Sequence, residues 1–144
     1  MTDLNKAPYA ALVLRVSLGV LALAHGLMKI IVFTPAGTVG FFESLGLPGT
    51  LAYVTIAVEV VGGVALIAGV FTRYVSIAMV PILIGSIVFA HWNAGWVFSN
   101  EGGGWEYPAF WAVALVVQAL LGDGAYAFKP GTRGQHAGAA ANSH

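Results

Sequence analysis

Residues 8–33 read PYAALVLRVSLGVLALAHGLMKIIVF. The run exceeds the ~20 apolar residues that a helix needs to cross the hydrocarbon core, yet it carries Arg15, His25 and Lys29. Its apolar character is continuous rather than alternating and is too long for a barrel strand. In lipid that leaves a helix, which satisfies its own backbone. Arg15, Leu18, Ala22, His25 and Lys29 follow a seven-residue rhythm and fall on one stripe. An ionisable side chain at mid-membrane costs at least ~2.5 kcal/mol, so it normally faces the interior of a bundle and has a partner. The stripe therefore predicts a helix packed against other helices.

Working outward, similar runs occupy residues 51–71, 74–92 and 107–121. The last is short and stops at Gly122-Asp123-Gly124, so it sits in thinned bilayer or continues towards Phe128. The expected fold is all-α: a four-transmembrane-helix bundle, with residues 1–129 as one membrane domain and 130–144 as a disordered polar C-terminal tail. His136 and His144 lie in that tail and are assigned no role. Residues 34–50 predict a short interfacial helix after helix one, with Phe41, Phe42 and Leu45 on it and Gly46 and Pro48 closing it. Residues 93–106 predict a flexible aromatic outer loop before helix four. Pro108 suits the first turn of that helix, and Pro81 predicts a kink in helix three. Ala57, Gly62, Gly63, Ala65 and Gly69 form a small-residue face for close packing. Ala22-Leu23-Ala24 resembles a signal-peptide cleavage site, but Arg15 interrupts the apolar core and the run continues past His25, so the first segment is read as a retained helix.

Composition excludes several classes. Of 144 residues, 58% are hydrophobic and 8% charged, against about 25% charged in a soluble domain. Six basic and six acidic residues cancel, which leaves no basic field for nucleic acid. There is no cysteine, hence no thiolate chemistry and no disulfide. Lys6, Arg73, Lys129 and Arg133 fall on one side of four crossings. The positive-inside rule then puts both termini in the cytoplasm of a multi-pass protein of a bacterial inner membrane.

Depth along each helix, at 1.5 Å per residue, places His25 and His91 about 25 Å and Glu106 about 24 Å above the cytoplasmic ends, with Glu59 at about 18 Å and Arg15 at about 10 Å. The expectation is one outer-leaflet pocket lined by His25, Lys29, Glu59, His91 and Glu106. Each residue also has a plain structural reading. Lys29 and Arg15 can snorkel, Arg15 or Lys29 can pair with Glu59, His25 can bond a carbonyl, His91 can sit at the interface, and Glu106 can favour the positive end of helix four.

The chain resembles the DoxX family of small four-helix bacterial membrane proteins over residues 10–128. Arg15 followed by His25-Gly26 and Lys29 matches the family's first helix. FFESLGLP (41–48) matches its next segment, VEVVGGVALIAGVFTR (58–73) its second helix and GGWEYP (103–108) the start of its fourth. The resemblance implies a membrane component of an oxidoreductase system whose relatives partner thiosulfate:quinone oxidoreductase and other sulfur- and stress-handling enzymes.

Three functions compete. The first binds a quinone-like small hydrophobic ligand. His25 shuttles its proton, Glu59 orients or recharges His25, Lys29 or Arg15 stabilises anionic charge, and His91, Trp92, Asn93, Trp105, Glu106 and Tyr107 complete the site. The second is a haem or transition-metal site on His25 and His91, with Glu106 as a further metal ligand. The third is a membrane anchor, assembly factor or carrier for a partner enzyme. A redox partner protein is implied by the first, and a homo-oligomer is compatible with all three.

Overall fold

The computed structural model describes residues 5–129; the tail 130–144, with His136 and His144, lies outside the described residues. The elements are α1 (Ala7–Ile31), α2 (Pro35–Ser44), α3 (Thr50–Ala68), α4 (Thr72–Gly85) and α5 (Glu106–Leu121). Among the described residues all regular structure is helical. Pro8 lies in the first turn of α1, where its missing N–H is harmless. Thr34 starts α2 by accepting a hydrogen bond from Gly37 N–H at 3.2 Å. Gly69, at φ 77°, ends α3 in the left-handed conformation that suits glycine.

Two expectations need correction. The third apolar run is not one uniform α-helix. Beyond Pro81, which lacks the N–H of a regular turn, α4 gives way to a π-wound segment at Ser86–His91 and a 3-10 turn at Trp92–Ala94. Nor does the fourth helix continue towards Phe128. It stops at Leu121 before Gly122 (φ 80°), and the chain folds back under the other helices. Ala125 N–H donates to the Pro8 carbonyl at 2.9 Å, and Phe128 N–H to the Ala68 carbonyl at 3.0 Å. This strap closes one end of the molecule, termed the base. The opposite end, the crown, carries α2 and the 95–105 loop.

The four longer helices pack in a ring: α1 on α3, α3 on α4, α4 on α5 and α5 on α1. Leu18, Ala22, Leu66, Met79, Leu83, Trp111 and Leu115 form the apolar centre. The outer surface is as apolar as the inside: Val13, Val61, Phe110 and Leu120 are 66%, 68%, 73% and 76% exposed. Such a surface suits hydrocarbon and not water. α1, α3 and the continuous Thr72–Ala94 segment are each long and apolar enough to cross a membrane. The shorter apolar α5 has 16 residues, about 24 Å of rise.

The tightest contact joins α1 to α3. Their register runs antiparallel, with Gly19 against Gly63 and Gly26 against Glu59 and Val60. A Cβ on Gly63 would stand 2.7 Å from Leu23 N and 2.8 Å from the Gly19 carbonyl, both backbone atoms that cannot turn aside. Small residues here let the two backbones meet. Gly62 faces α4 instead, near Val75 and Met79, so the small-residue face of α3 serves two neighbours. Gly63→Val forces these backbones apart and is expected to cost about 1–3 kcal/mol, the scale of overpacking. Unfolding in detergent micelles measures this, and an unchanged midpoint would contradict the close crossing.

Candidate functional site

The α1–α3 register decides the polar chemistry. With Gly26 lying over the Cβ of Glu59, Lys29 one turn further along α1 reaches the Glu59 carboxylate. Its Nζ donates to Oε1 at 2.9 Å and to Oε2 at 2.8 Å. The two side chains are 18% and 7% exposed. A pair this sheltered is costly to break, because the survivor is left charged in an apolar setting. The backbone around Lys29 is held as well, since the Thr38 hydroxyl of α2 lies 3.2 Å from the Lys29 carbonyl.

His25 sits on the neighbouring edge of the stripe and turns towards α5. Its ring lies 5.0 Å from Trp111 and 6.4 Å, stacked, from Tyr107, within coulombic range of Glu59. Its Nδ1 lies 2.9 Å from the Leu21 carbonyl. A carbonyl only accepts, so Nδ1 carries the proton and Nε2 of the neutral ring is the basic nitrogen. Lys29, Glu59 and His25 are thus gathered at the crown end of the ring.

The other predicted site residues have different partners. Arg15 is 1% exposed and lies at the base. Its Nη1 donates to the Leu66 and Ile67 carbonyls, and its Nη2 to the Ala125 carbonyl, each at 3.0 Å. It caps the last turn of α3, where carbonyls lack intrahelical partners, and its ties are to carbonyls rather than to Glu59. His91, at the end of the π segment, turns into the loop, with Nδ1 2.8 Å from the Gly103 carbonyl and 3.2 Å from that of Gly102. Glu106 accepts from Phe98 N–H at 2.8 Å. Trp105 stacks on Trp92 at 5.7 Å and meets Trp96 edge-on at 4.5 Å. Asn93 is exposed in the 3-10 turn beside them.

These contacts sort the predicted site residues. The residues predicted to line one chamber divide into the Lys29–Glu59–His25 group and a set that fastens the crown loop. That loop, expected to be flexible, is tied down through Trp105 N–H to the Gly95 carbonyl (3.0 Å) and Glu106 N–H to the Trp96 carbonyl (3.1 Å). The metal alternative on His25, His91 and Glu106 is also unassembled: among the described residues no group of three or more His, Cys, Asp or Glu is placed to hold an ion. His91 Nδ1 and Glu106 Oε1 both bond to loop backbone instead.

Two apolar grooves open beside Tyr107, the stacking neighbour of His25, and His25 itself lines neither. One, of about 330 Å³, runs between α1 and α5 along Leu14, Ser17, Leu21, Phe110 and Trp111. The other, of about 620 Å³, lies under the crown loop between Trp96, Phe98 and Val113. Tyr107 and Phe110 line both, so the grooves adjoin. Trp111 is the residue that sequence reading missed. It is buried at 5% exposure, and its indole N–H, sealed inside the fold, has no acceptor among the described residues. Its only signal in the sequence was its place one turn beyond Tyr107 in an apolar helix, where the interior side of α5 is not otherwise marked.

Apolar helices, an apolar exterior and a buried ion pair define a helical membrane protein with a polar centre near one end. The DoxX family model matches residues 10–92, and the chain belongs to the DoxX family. It is 39% identical over 90 residues to "Putative oxidoreductase CatD" of Bacillus subtilis, covering 62% of this chain and 66% of that one; the match thus spans just under two thirds of that relative's length. It is 26% identical over 125 residues to "Inner membrane protein YphA" of Escherichia coli, covering 82% of this chain and 86% of that protein. No solved structure matches the chain.

If the Lys29–Glu59 pair is held as described, Lys29→Met strands the carboxylate and lowers stability by about 3–5 kcal/mol. Adding Glu59→Leu removes the stranded charge and restores most of the loss. Unfolding of both variants in detergent micelles tests this, and a single variant as stable as the parent would refute the pairing.

Proposed function

We propose that the chain is the membrane component of an oxidoreductase system and binds a quinone-like molecule where the α1/α5 groove meets His25. The observation that carries this reading is an apolar groove whose walls, Tyr107 and Trp111, lie against a histidine. A quinone presents a carbonyl oxygen that a histidine can hydrogen-bond. A flat apolar ring bearing such an oxygen fits between Tyr107, Phe110 and Trp111, with an apolar tail lying along the groove. The relative named as an oxidoreductase supports the reaction class.

In this reading His25 is the catalytic acid–base. The Leu21 carbonyl fixes its tautomer, so Nε2 takes a proton from a ligand hydroxyl or, once protonated, returns it to a ligand carbonyl. Glu59, hydrogen-bonded to Lys29, is the group that orients or recharges His25. Lys29 keeps the site close to neutral when His25 is uncharged. Tyr107 stacks near His25 and forms the groove wall. Interconversion of quinone and quinol moves two electrons and two protons. The electrons pass to or from a redox partner protein, while this chain handles protons. Arg15 serves this site by holding the base, and His91, Trp92, Trp105 and Glu106, with Asn93 beside them, by holding the crown loop.

The same proposal places the protein in a bacterial inner membrane as a four-span bundle. α5 makes the fourth crossing through locally thinned bilayer, and α2 lies in the interface. Lys6, Arg73 and Lys129 at the base put that end, and both termini, in the cytoplasm. The ligand then enters sideways from the outer leaflet.

Phe110→Ala removes a wall that the two grooves share. It is expected to weaken binding of a short-chain benzoquinone about tenfold, the scale of one lost aromatic contact. His25→Ala is expected to lower quinone turnover with the redox partner by roughly 10²-fold or more. Fluorescence quenching in nanodiscs reads the first and steady-state kinetics the second. Parental values for both variants would refute the site, and co-purification with a partner enzyme at full activity in both would favour a plain anchor.

A further inference from the structure

The groove under the crown loop differs in its chemistry from the one proposed for the quinone-like ligand. Trp96, Phe98, Phe110 and Val113 give it aromatic and hydrocarbon walls, and Glu106 places a carboxylate among them. Glu106 is the only charged residue of that lining, and the α1/α5 groove has none. A single carboxylate in an apolar wall selects its occupant, because a neutral or anionic group against it would leave the charge without a counterpart.

The carboxylate is fixed at the loop end of the groove. Its Oε1 accepts from Phe98 N–H at 2.8 Å, and the backbone N–H of Glu106 donates to the Trp96 carbonyl at 3.1 Å. Both loop residues that line the groove are therefore tied to Glu106. Trp105 braces Trp96, meeting it edge-on at 4.5 Å. Phe98 N–H is a neutral donor and takes one acceptor site of a group that offers about four.

The groove also has a polarity along its length. Glu106 opens α5, and Phe110 and Val113 follow one and two turns later, with Val113 about 10 Å further along the helix. Both are exposed, on a helix that packs against α1 and α4, each part of a segment long and apolar enough to span a membrane. The groove is thus open sideways to hydrocarbon, with its carboxylate and tryptophan at the end where aromatic residues mark the interface. An amphiphile standing in a bilayer has the same sequence of parts in the same direction.

We propose that this groove binds a membrane phospholipid with a primary-ammonium headgroup, the ammonium on Glu106 and an acyl chain along Ala109, Phe110 and Val113. The ammonium donates charge-assisted hydrogen bonds to the carboxylate, and the Trp96 and Tyr107 rings attract the same cation. A quaternary ammonium keeps the second attraction but has no N–H for the first. A headgroup without a cation sets its phosphate charge against Glu106. A water-soluble amine lacks the chain that fills the apolar length of the groove. At about 620 Å³ the groove has the size of an ordinary small-molecule site. The site stands apart from the quinone reading and from the choice of leaflet for the crown.

Native mass spectrometry reads the outcome. The full chain is equilibrated in detergent with an equimolar mixture of phosphatidylethanolamine, phosphatidylcholine and phosphatidylglycerol that carry identical acyl chains, and the phosphatidylethanolamine adduct is expected to dominate. Glu106→Gln removes the charge and keeps a carbonyl oxygen for Phe98 N–H. It is expected to lower phosphatidylethanolamine binding about tenfold, the scale of one hydrogen bond to a charged group, and to erase the preference over phosphatidylcholine. Glu101→Gln removes a charge from the same loop outside the groove lining and is expected to leave the preference intact. If Glu106→Gln fails to fold, stepwise N-methylation of the phosphatidylethanolamine headgroup applies the same test to the parental chain, with binding falling as N–H groups are lost. Equal binding of the three lipids by the parent, parental selectivity in Glu106→Gln, an equal loss in Glu101→Gln, or indifference to N-methylation would each overturn the proposal.

Discussion

The close passage of α1 over α3 governs the rest of the molecule. Gly19, Gly26 and Gly63 bring the two backbones together, and the antiparallel register that follows fixes which side chains meet. Arg15 lands on the carbonyls that end α3. Lys29 lands on Glu59. A larger residue at the crossing would shift both contacts at once, because they stand on the same helix pair on either side of it. The buried charges and the small residues are therefore one feature, each requiring the other.

The consequence is a ring of helices with polar chemistry at both ends and an apolar middle. At the crown end the ion pair and His25 gather, and the aromatic neighbours of His25, Tyr107 and Trp111, line apolar grooves. At the base a guanidinium closes the helix ends with the help of the strap. The crown loop, which carries much of the aromatic content, is fastened by His91 and Glu106 rather than left open. Placed in a bilayer, the grooves would face lipid, which suits a ligand that arrives through the membrane rather than from water.

Much of this was legible in the sequence. The spacing of Arg15, His25 and Lys29 identified the interior stripe of α1, and the glycines of α3 identified its packing face, because helical periodicity converts spacing directly into direction. Depth was less informative. Equal height along separate helices does not make side chains neighbours, and His91 and Glu106, placed level with His25 by counting residues, bond to loop backbone. The π-wound end of α4 changes the direction in which His91 points, and nothing in residues 86–91 announces that winding. Arg15 was read as a candidate partner of Glu59 because both are charged; carbonyls at a helix end are invisible in sequence, yet they satisfy it. Trp111 was overlooked for the opposite reason, since an aromatic residue in an apolar run is the expected background, and only an unmatched N–H sets it apart.

The central claim is that a quinone-like ligand sits between α1 and α5 against His25 and Trp111. Photolabelling of the protein in native membranes with an azido-benzoquinone, followed by mass spectrometry of the modified peptides, tests this most directly. The account predicts label on the Leu14–His25 and Tyr107–Ala114 segments, suppressed by excess unlabelled quinone. Label confined to other helices, or unaffected by competition, would contradict it.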